Sequence, residues 1–368
     1  MGVKQRVMTA PSAAPSAAPS IATQWIGIDV SKDTLDVCLL RAGGKEKHKT
    51  FTNDAAGYSK LLRWCCAGAA LVLRWVEHLT PGELCHFCLE STGSYSMGVA
   101  HFLAEANQRV SLVNPARIKY AGLAQGVGNK TDRADARLIA DYCRKEEPAL
   151  WRASTPEVRV LVALVRRLHS VQGLLVQEQN RLGAPQLPRE VQSSLRKMIR
   201  ALEAEIKRLQ KQIKDHTDSY PGLKADKELL LSIPGIGETT AHELLGEMPD
   251  VTQFASAQSV AAYAGLAPRE HSSGSSVRKR TRLSKRGNSH LRKALYFPAV
   301  SAVQWNAPVK THYERMREKG KGKMVCLGAA MRKLLMICYG VLKTRQPFDS
   351  QWQQKGQQKR QLPLGAAT

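Results

Sequence analysis

The sequence predicts an α/β domain, then two long paired helices, then a basic and mainly helical segment. Three patterns carry this reading. Short apolar runs bounded by turn residues alternate with helical stretches from Gln24 to about Lys145, which implies a sheet with at least some parallel pairing. Leu and Ile then recur at three-and-four spacing between 157 and 213, the seam of a coiled coil. Beyond Pro221 short helical stretches are separated by Gly turns and are dense in Lys and Arg.

Residues 1–23 contain PSAAPSAAPS, whose Pro and small residues bury no core, so a disordered tail is expected there. The run WIGIDVSKDTLDVCLL reads as two strands around a tight turn at Ser31 to Asp33, with a third strand over Lys47 to Thr52. Asp54 is placed to cap a helix. Glu83 to Glu90 reads as a buried strand, Ser94 to Asn107 as a helix, and Arg109 to Val113 as a strand stopped by Pro115. After a Gly-rich loop, Thr131 caps a helix reaching about Lys145. The seam comprises Leu161, Leu164, Leu168, Val171, Leu175 and Leu182, then Ile199, Leu202, Ile206, Leu209 and Ile213. The interruption at 183–188 makes it two helices, either an intramolecular hairpin or an oligomer contact. The expected domains are therefore 24–156, 157–220 and 221–345, with a Gln/Lys-rich disordered tail over 346–368.

Lys plus Arg outnumber Asp plus Glu 55 to 31, a formal charge of +24. Such an excess fits a polyanion, because cations bound to phosphates release condensed counterions. Eight cysteines in 368 residues do not make a disulfide framework and read as reduced thiols of a cytosolic protein. Cys85 and Cys88 form a C-x-x-C around His86, but no second pair follows at zinc-ribbon spacing, so packing is the expected role. No run of about 18 uncharged apolar residues is present, so no membrane span is expected.

Four acidic residues occupy element ends. Asp29 and Glu90 terminate strands, and Asp132 and Asp135 lie three apart on one helix face. Oxygen ligands of this kind suit Mg²⁺ or Mn²⁺, as used in phosphoryl transfer. Asp33 and Asp36 compete with Asp29 on position alone. The segment Ser232-Ile-Pro-Gly-Ile-Gly237 lies between helical stretches like the turn of a helix-hairpin-helix, where Gly235 and Gly237 let the backbone approach a phosphate. Downstream, His271-Ser-Ser-Gly-Ser-Ser276 precedes VRKRTRLSKRGNSHLRK. Arg278, Lys279, Arg280, Lys285, Arg286 and Arg292 there form a phosphate-binding strip. A serine hydroxyl beside these cations is a candidate nucleophile, and composition does not separate Ser272, Ser273, Ser275 and Ser276.

These strings, in this order, resemble the DEDD transposases of bacterial insertion sequences, relatives of the pilin-gene-inverting recombinases. The resemblance covers roughly residues 24–345 through GIDVSKDTLDV, LESTGSY, VNP, KTDRADA, IPGIG, FASAQSVAAYAGLAPREHSSG and SKRGNSHLRKAL. It implies a RuvC-like, ribonuclease H-like first domain, a coiled coil, and a mainly α-helical transposase domain with a helix-hairpin-helix. It also implies that Asp29, Glu90, Asp132 and Asp135 are a metal-binding tetrad, Asp29 being favoured because it follows Gly27-Ile28. The nucleophilic serine before a glycine maps to Ser273, with the neighbouring Ser272 as the competitor. Further implications are duplex DNA as donor and target, a structured guide RNA, a dimer or tetramer, and a bacterial cytoplasmic, nucleoid-associated location. A metal-dependent nuclease using water is the alternative function. An actin-type or sugar-kinase ATPase shares the Gly-Ile-Asp strand but wants a second related half, which the sequence lacks. A DNA-binding scaffold without catalysis would not need all four acids.

Overall fold

The computed structural model describes residues 24–66, 85–91, 93, 95–126, 131–273 and 277–351, with backbone alone over 270–273 and 277–281. The expected N-terminal tail, the stretch 67–84 and residues 352–368 lie outside the described residues. The chain divides into two compact units, one ending at Ala153 and one beginning at Ser154.

The first unit is built on a five-stranded sheet: β1 (Gln24–Val30), β2 (Thr34–Arg41), β3 (Glu46–Thr52), β4 (Cys85–Glu90) and β5 (Arg109–Val113), in the order β3-β2-β1-β4-β5. β1, β2 and β3 pair antiparallel, whereas β4 and β5 run parallel to β1. The expected tight turn joins β1 to β2, with Ser31 Oγ accepting from the Thr34 amide at 3.0 Å. Alternation then sends successive side chains to opposite faces. On one face Ile26, Ile28, Leu35, Val37, Leu39, Phe87 and Leu89 form a core with helices α1 (Ala55–Cys66) and α2 (Tyr95–Glu105). Asp54 caps α1 as expected, its Oδ1 accepting from the Gly57 amide at 2.7 Å.

The other face carries α4 (Asp132–Glu146), capped by Thr131 Oγ1 on the Ala134 amide at 3.2 Å. α4 lies directly on β1. A Cβ at Gly27 would stand 2.1 Å from the Ala136 carbonyl oxygen and 2.3 Å from the Ala140 amide nitrogen. Only glycine therefore lets helix and strand backbones approach this closely. Pro115 does more than end β5: with Asn114 as N-cap it starts helix α3 (Pro115–Ala124), which packs Ile118 and Gly122 toward Leu138 of α4.

Cys85 and Cys88 are buried on opposite faces. Cys85 packs with Cys65, and Cys88 with Cys143 across from it. Their separation by three residues of strand prevents them from sharing one ion. His86 is also buried, 2.8 Å from Ser111 Oγ, and burial pulls its imidazole down to about 4.

In the second unit α5 (Pro156–Leu182) and α6 (Arg189–Ser219) pack on each other within the chain as a hairpin. Its base is buried through Leu161, Val165, Leu168, Val171, Leu209 and Ile213. Those residues share one core with α7 (Pro221–Leu231), α8 (Glu238–Glu247), α9 (Ala257–Tyr263), α10 (Ser289–Ala294), α11 (Tyr296–Trp305), α12 (Ala307–Glu318) and α13 (Lys323–Thr344). The paired helices are thus continuous with the helical segment rather than a separate module. α13 is long and apolar enough to cross a membrane by length and composition, but Arg332 and Lys333 interrupt it and 61% of its apolar window is buried in this core. A hairpin of β6 (Pro268–Ser273) and β7 (Val277–Leu283) interrupts the helices where sequence composition implied a loop. The chain also stays on the core beyond Arg345: Phe348 packs against it and its amide donates to Ser232 Oγ at 2.8 Å, so the expected disordered tail does not begin at 346.

Gly27→Ala is expected to destabilise the first unit by about 2–3 kcal/mol through backbone overlap with α4. A fall in the denaturant midpoint without a change in the far-ultraviolet spectrum is the readout.

Candidate active site

The close approach at Gly27 brings carboxylates from three elements together. β1 and β4 are parallel with Ile28 beside Leu89, so the next residues, Asp29 one before the end of β1 and Glu90 at the end of β4, lie on adjacent strands. α4 starts above the same strand ends, and its first turn carries Asp132 and Asp135. Asp29 is half-buried, and its carboxyl is pushed up to about 6. Burial is the main cause, followed by the negative charges of Asp135, Asp132, Glu90 and Asp36. A carboxyl that burial and four neighbouring carboxylates together keep from ionising lies in a negative field, the setting a hard cation relieves. The oxygen-only donor set fits Mg²⁺ or Mn²⁺.

The competitors of Asp29 are separated by position. Asp33 is exposed in the β1–β2 turn. Asp36 is the register partner of Asp29 on β2, and its Oδ1 accepts from Thr50 Oγ1 at 2.7 Å. It adds charge to the cluster but is committed to the neighbouring strand. The site rim is braced by Asn53, a residue that pattern reading passes over. Its amide donates to the carbonyls of Ser31 at 2.8 Å and Tyr95 at 3.3 Å, and its Oδ1 accepts from Tyr58 Oη at 2.7 Å.

In the second unit the turn between α7 and α8 buries Ile233 and Ile236. Gly235 has φ +101°, and a Cβ there would lie 2.8 Å from Ala302 Cβ. Packing on α11 and the positive φ each require glycine at this position. Gly237 caps α8 and faces open space.

Ser273 ends β6, paired with Val277, and Ser272 pairs with Arg278. Arg278, Lys279 and Arg280 lie along β7. The root of this hairpin is fastened by amides of Ser284, Lys285 and Asn288, which donate to the carbonyls of Ala267 (2.9 Å), Gly265 (3.1 Å) and Tyr263 (2.7 Å). Gly287, at φ +144°, passes so near the Tyr263 carbonyl that a Cβ would sit 2.2 Å away. Lys285 and Arg286 are exposed on this turn, whereas Arg292 turns inward, its Nη1 donating to the Ala264 carbonyl at 2.9 Å. The turn is held from below by a buried charge. Glu247, 4% exposed, accepts bidentate hydrogen bonds from Arg166 (2.7 and 3.0 Å) and one from Asn288 Nδ2 (2.9 Å). These donors hold its carboxyl below the usual range despite the opposing effect of burial. Neither Gly27 nor Glu247 announces its role by pattern, since each depends on an approach between distant segments.

A family model described as "Transposase IS116/IS110/IS902 family" matches residues 227–314, and a model of the DEDD transposases of the IS110 type matches residues 26–187. The chain is 36% identical over 326 residues to the pilin gene-inverting protein of Moraxella bovis, covering 88% of this chain and 97% of the relative. The chain belongs to the IS110 family of DEDD transposases. The Moraxella lacunata pilin gene-inverting protein matches at the same identity and coverage. The transposase of the insertion sequence element IS1111A from Coxiella burnetii is 24% identical, over 76% of this chain and 78% of its own. The protein is accordingly a DNA transposase or recombinase, and the mixed α/β first unit and helical second unit agree with that assignment.

Two opposite pH responses follow. Because the folded Asp29 carboxyl is raised, its ionisation opposes folding above about pH 6 and is neutral below its unfolded value. Asp29→Asn should therefore raise stability at pH 8 without divalent cations by on the order of 1–2 kcal/mol after discounting for solvent exposure. That gain should vanish below about pH 4. Glu247 is lowered, so its contribution is present above its unfolded value and lost as pH falls. Arg166→Ala should cost about 2 kcal/mol at pH 7, less in acid. Thermal denaturation of both variants from pH 3.5 to pH 8 checks the two signs.

Proposed function

We propose that the first unit is a RuvC-like catalytic centre in which Asp29, Glu90, Asp132 and Asp135 hold Mg²⁺ or Mn²⁺ and that Ser273 of the second unit is the nucleophile. The observation that carries the reading is the charge cluster around the raised, half-buried Asp29. The strand order β3-β2-β1-β4-β5, with an antiparallel hairpin followed by parallel strands, supports the ribonuclease H-like assignment.

A cation bound there would neutralise charge on the scissile phosphate and on the departing oxygen. The chain's own residues supply the rest. Gly27 sets α4 against β1, so that Asp132 and Asp135 converge with the strand-end acids without searching conformations. Lys285 and Arg286, with Arg278, Lys279 and Arg280 on β7, bind duplex phosphates without reading sequence. The open N-terminus of α8 at Gly237 offers backbone amides to a further phosphate. Ser273 Oγ attacks phosphorus, giving a phosphoserine link, and the displaced strand leaves with a free 3′ hydroxyl. Attack by a hydroxyl of the exchanged strand reverses the step, so bond energy is conserved through rejoining.

A metal-dependent nuclease using water would need the same acids. Against it stands the kinship with proteins named for gene inversion, because inverting a segment requires cut ends to be rejoined. Sequence choice by a structured RNA and assembly as a dimer or tetramer on two duplexes complete the proposal; the excess of 55 basic over 31 acidic residues suits both polyanions.

Purified protein, Mg²⁺, element-junction DNA and the flanking noncoding RNA, resolved on a denaturing gel, should give a covalent protein–DNA band. Ser273→Ala and Asp29→Ala should each reduce that band at least about 100-fold, while Ser272→Ala should leave it within a few-fold of wild type. Cut DNA without an adduct, unchanged in Ser273→Ala, would establish the water-using nuclease instead.

A further inference from the structure

Away from the tetrad, the same unit brings together a second set of donors of different chemistry. Cys38 on β2 and His48 on β3 are direct register partners, and Glu46 lies two residues before His48 on the same sheet face. One donor atom from each, a thiol, a carboxylate and an imidazole, lies within 4.8 Å of the others. His48 Nε2 and Glu46 Oε1 are 3.6 Å apart. Ligands about 2.0–2.3 Å from a tetrahedral zinc are themselves roughly 3.3–3.8 Å apart, so this pair already has the spacing of two ligands. Closing the third requires shifts of about 1 Å.

The surroundings favour a site over an ordinary ion pair. Glu46 is held by its other oxygen, with Arg137 Nε 3.0 Å from Oε2. That contact orients the carboxylate and leaves Oε1 toward His48 and Cys38, as an outer partner does around a bound metal. Arg137 and Glu46 also line an open cleft of about 870 Å³ between the β2–β3 turn and α4, which gives an ion a path in. Cys38 is buried and makes no disulfide. β3 is an edge strand with most of its side chains exposed, so its attachment rests largely on pairing with β2.

We propose that Cys38, Glu46 and His48 form a Zn²⁺ site, with water as the fourth ligand, that staples edge strand β3 to β2. Sulfur and imidazole donors select zinc over the hard cations that suit the oxygen-only tetrad. Binding breaks the Cys38 S–H bond, forms the S–Zn bond and releases the proton to solvent, with no change of oxidation state. By pairing with Asp29, the Asp36 segment of β2 lies beside the stapled stretch, so the ion would also stiffen the strand next to the acidic cluster.

The test uses full-length protein stripped by chelator and titrated with Co²⁺, a spectroscopic substitute for zinc. The expected result is a thiolate-to-cobalt charge-transfer absorption in the near ultraviolet that saturates at one equivalent and disappears when Zn²⁺ is added. It should be absent in Cys38→Ser and weakened in affinity at least about 100-fold in His48→Ala. Arg137→Gln should weaken it about 10-fold, and Asp29→Asn should leave it unchanged. His48→Ala keeps the measurement decisive where Cys38→Ser fails to fold. No such band at one equivalent, or a band of full strength in either Cys38→Ser or His48→Ala, overturns the proposal.

Discussion

The contact between the α4 backbone and Gly27 is the constraint on which the first unit depends. Helix and strand meet there with no side chain between them, and every other residue at that position would push them apart. The consequence is local and chemical. Thr131 begins α4 at the ends of two parallel strands, and its cap fixes where the first turn lies. Asp132 and Asp135 are thereby brought to Asp29 and Glu90, although over a hundred residues separate the first acid from the last. The cost appears as the reluctance of Asp29 to ionise. Burial and mutual repulsion together disfavour the charged empty site, and a bound cation would relieve both, so preorganisation and the proposed metal affinity have one origin.

The second unit solves a comparable problem with a buried charge instead of a missing side chain. The basic hairpin meets the core through Leu283, and polar contacts hold its root as well. Tyr263 to Ala267 supplies carbonyls, Gly287 permits the close crossing, and Glu247 links Asn288 below it to Arg166 on α5. A carboxylate that is 4% exposed is tolerated because three hydrogen bonds satisfy it. The long helix pair and the root of the serine-bearing hairpin are consequently parts of one unit, sharing a core to which Glu247 adds a polar link.

What could be read from sequence was what nearest neighbours decide. The β1–β2 alternation, the Asp54 and Thr131 caps, and the one-faced Asp132 and Asp135 all follow from local periodicity, and the structure has each of them. Features set by tertiary approach were not legible. Gly27 reads as one small residue in an apolar strand. Gly235 is legible as a turn glycine, whereas its close approach to Ala302 is not. Polar, Gly- and Ser-rich composition concealed the β6–β7 hairpin, whose strands pair through backbone atoms. Pro115 was legible as a stop and is equally a helix start, since a first-turn proline lacks only an amide that would go unpaired there.

Family membership establishes the class of reaction, and the geometry narrows how this chain performs it. The central claim is that four carboxylates from β1, β4 and α4 form one cation site. Anomalous diffraction from crystals grown with Mn²⁺ tests this most directly. The account predicts a strong peak among Asp29, Glu90, Asp132 and Asp135, absent in crystals of Asp29→Asn. Saturating Mn²⁺ with no peak there, or a peak held by Asp33 or Asp36 in place of Asp29, would contradict it.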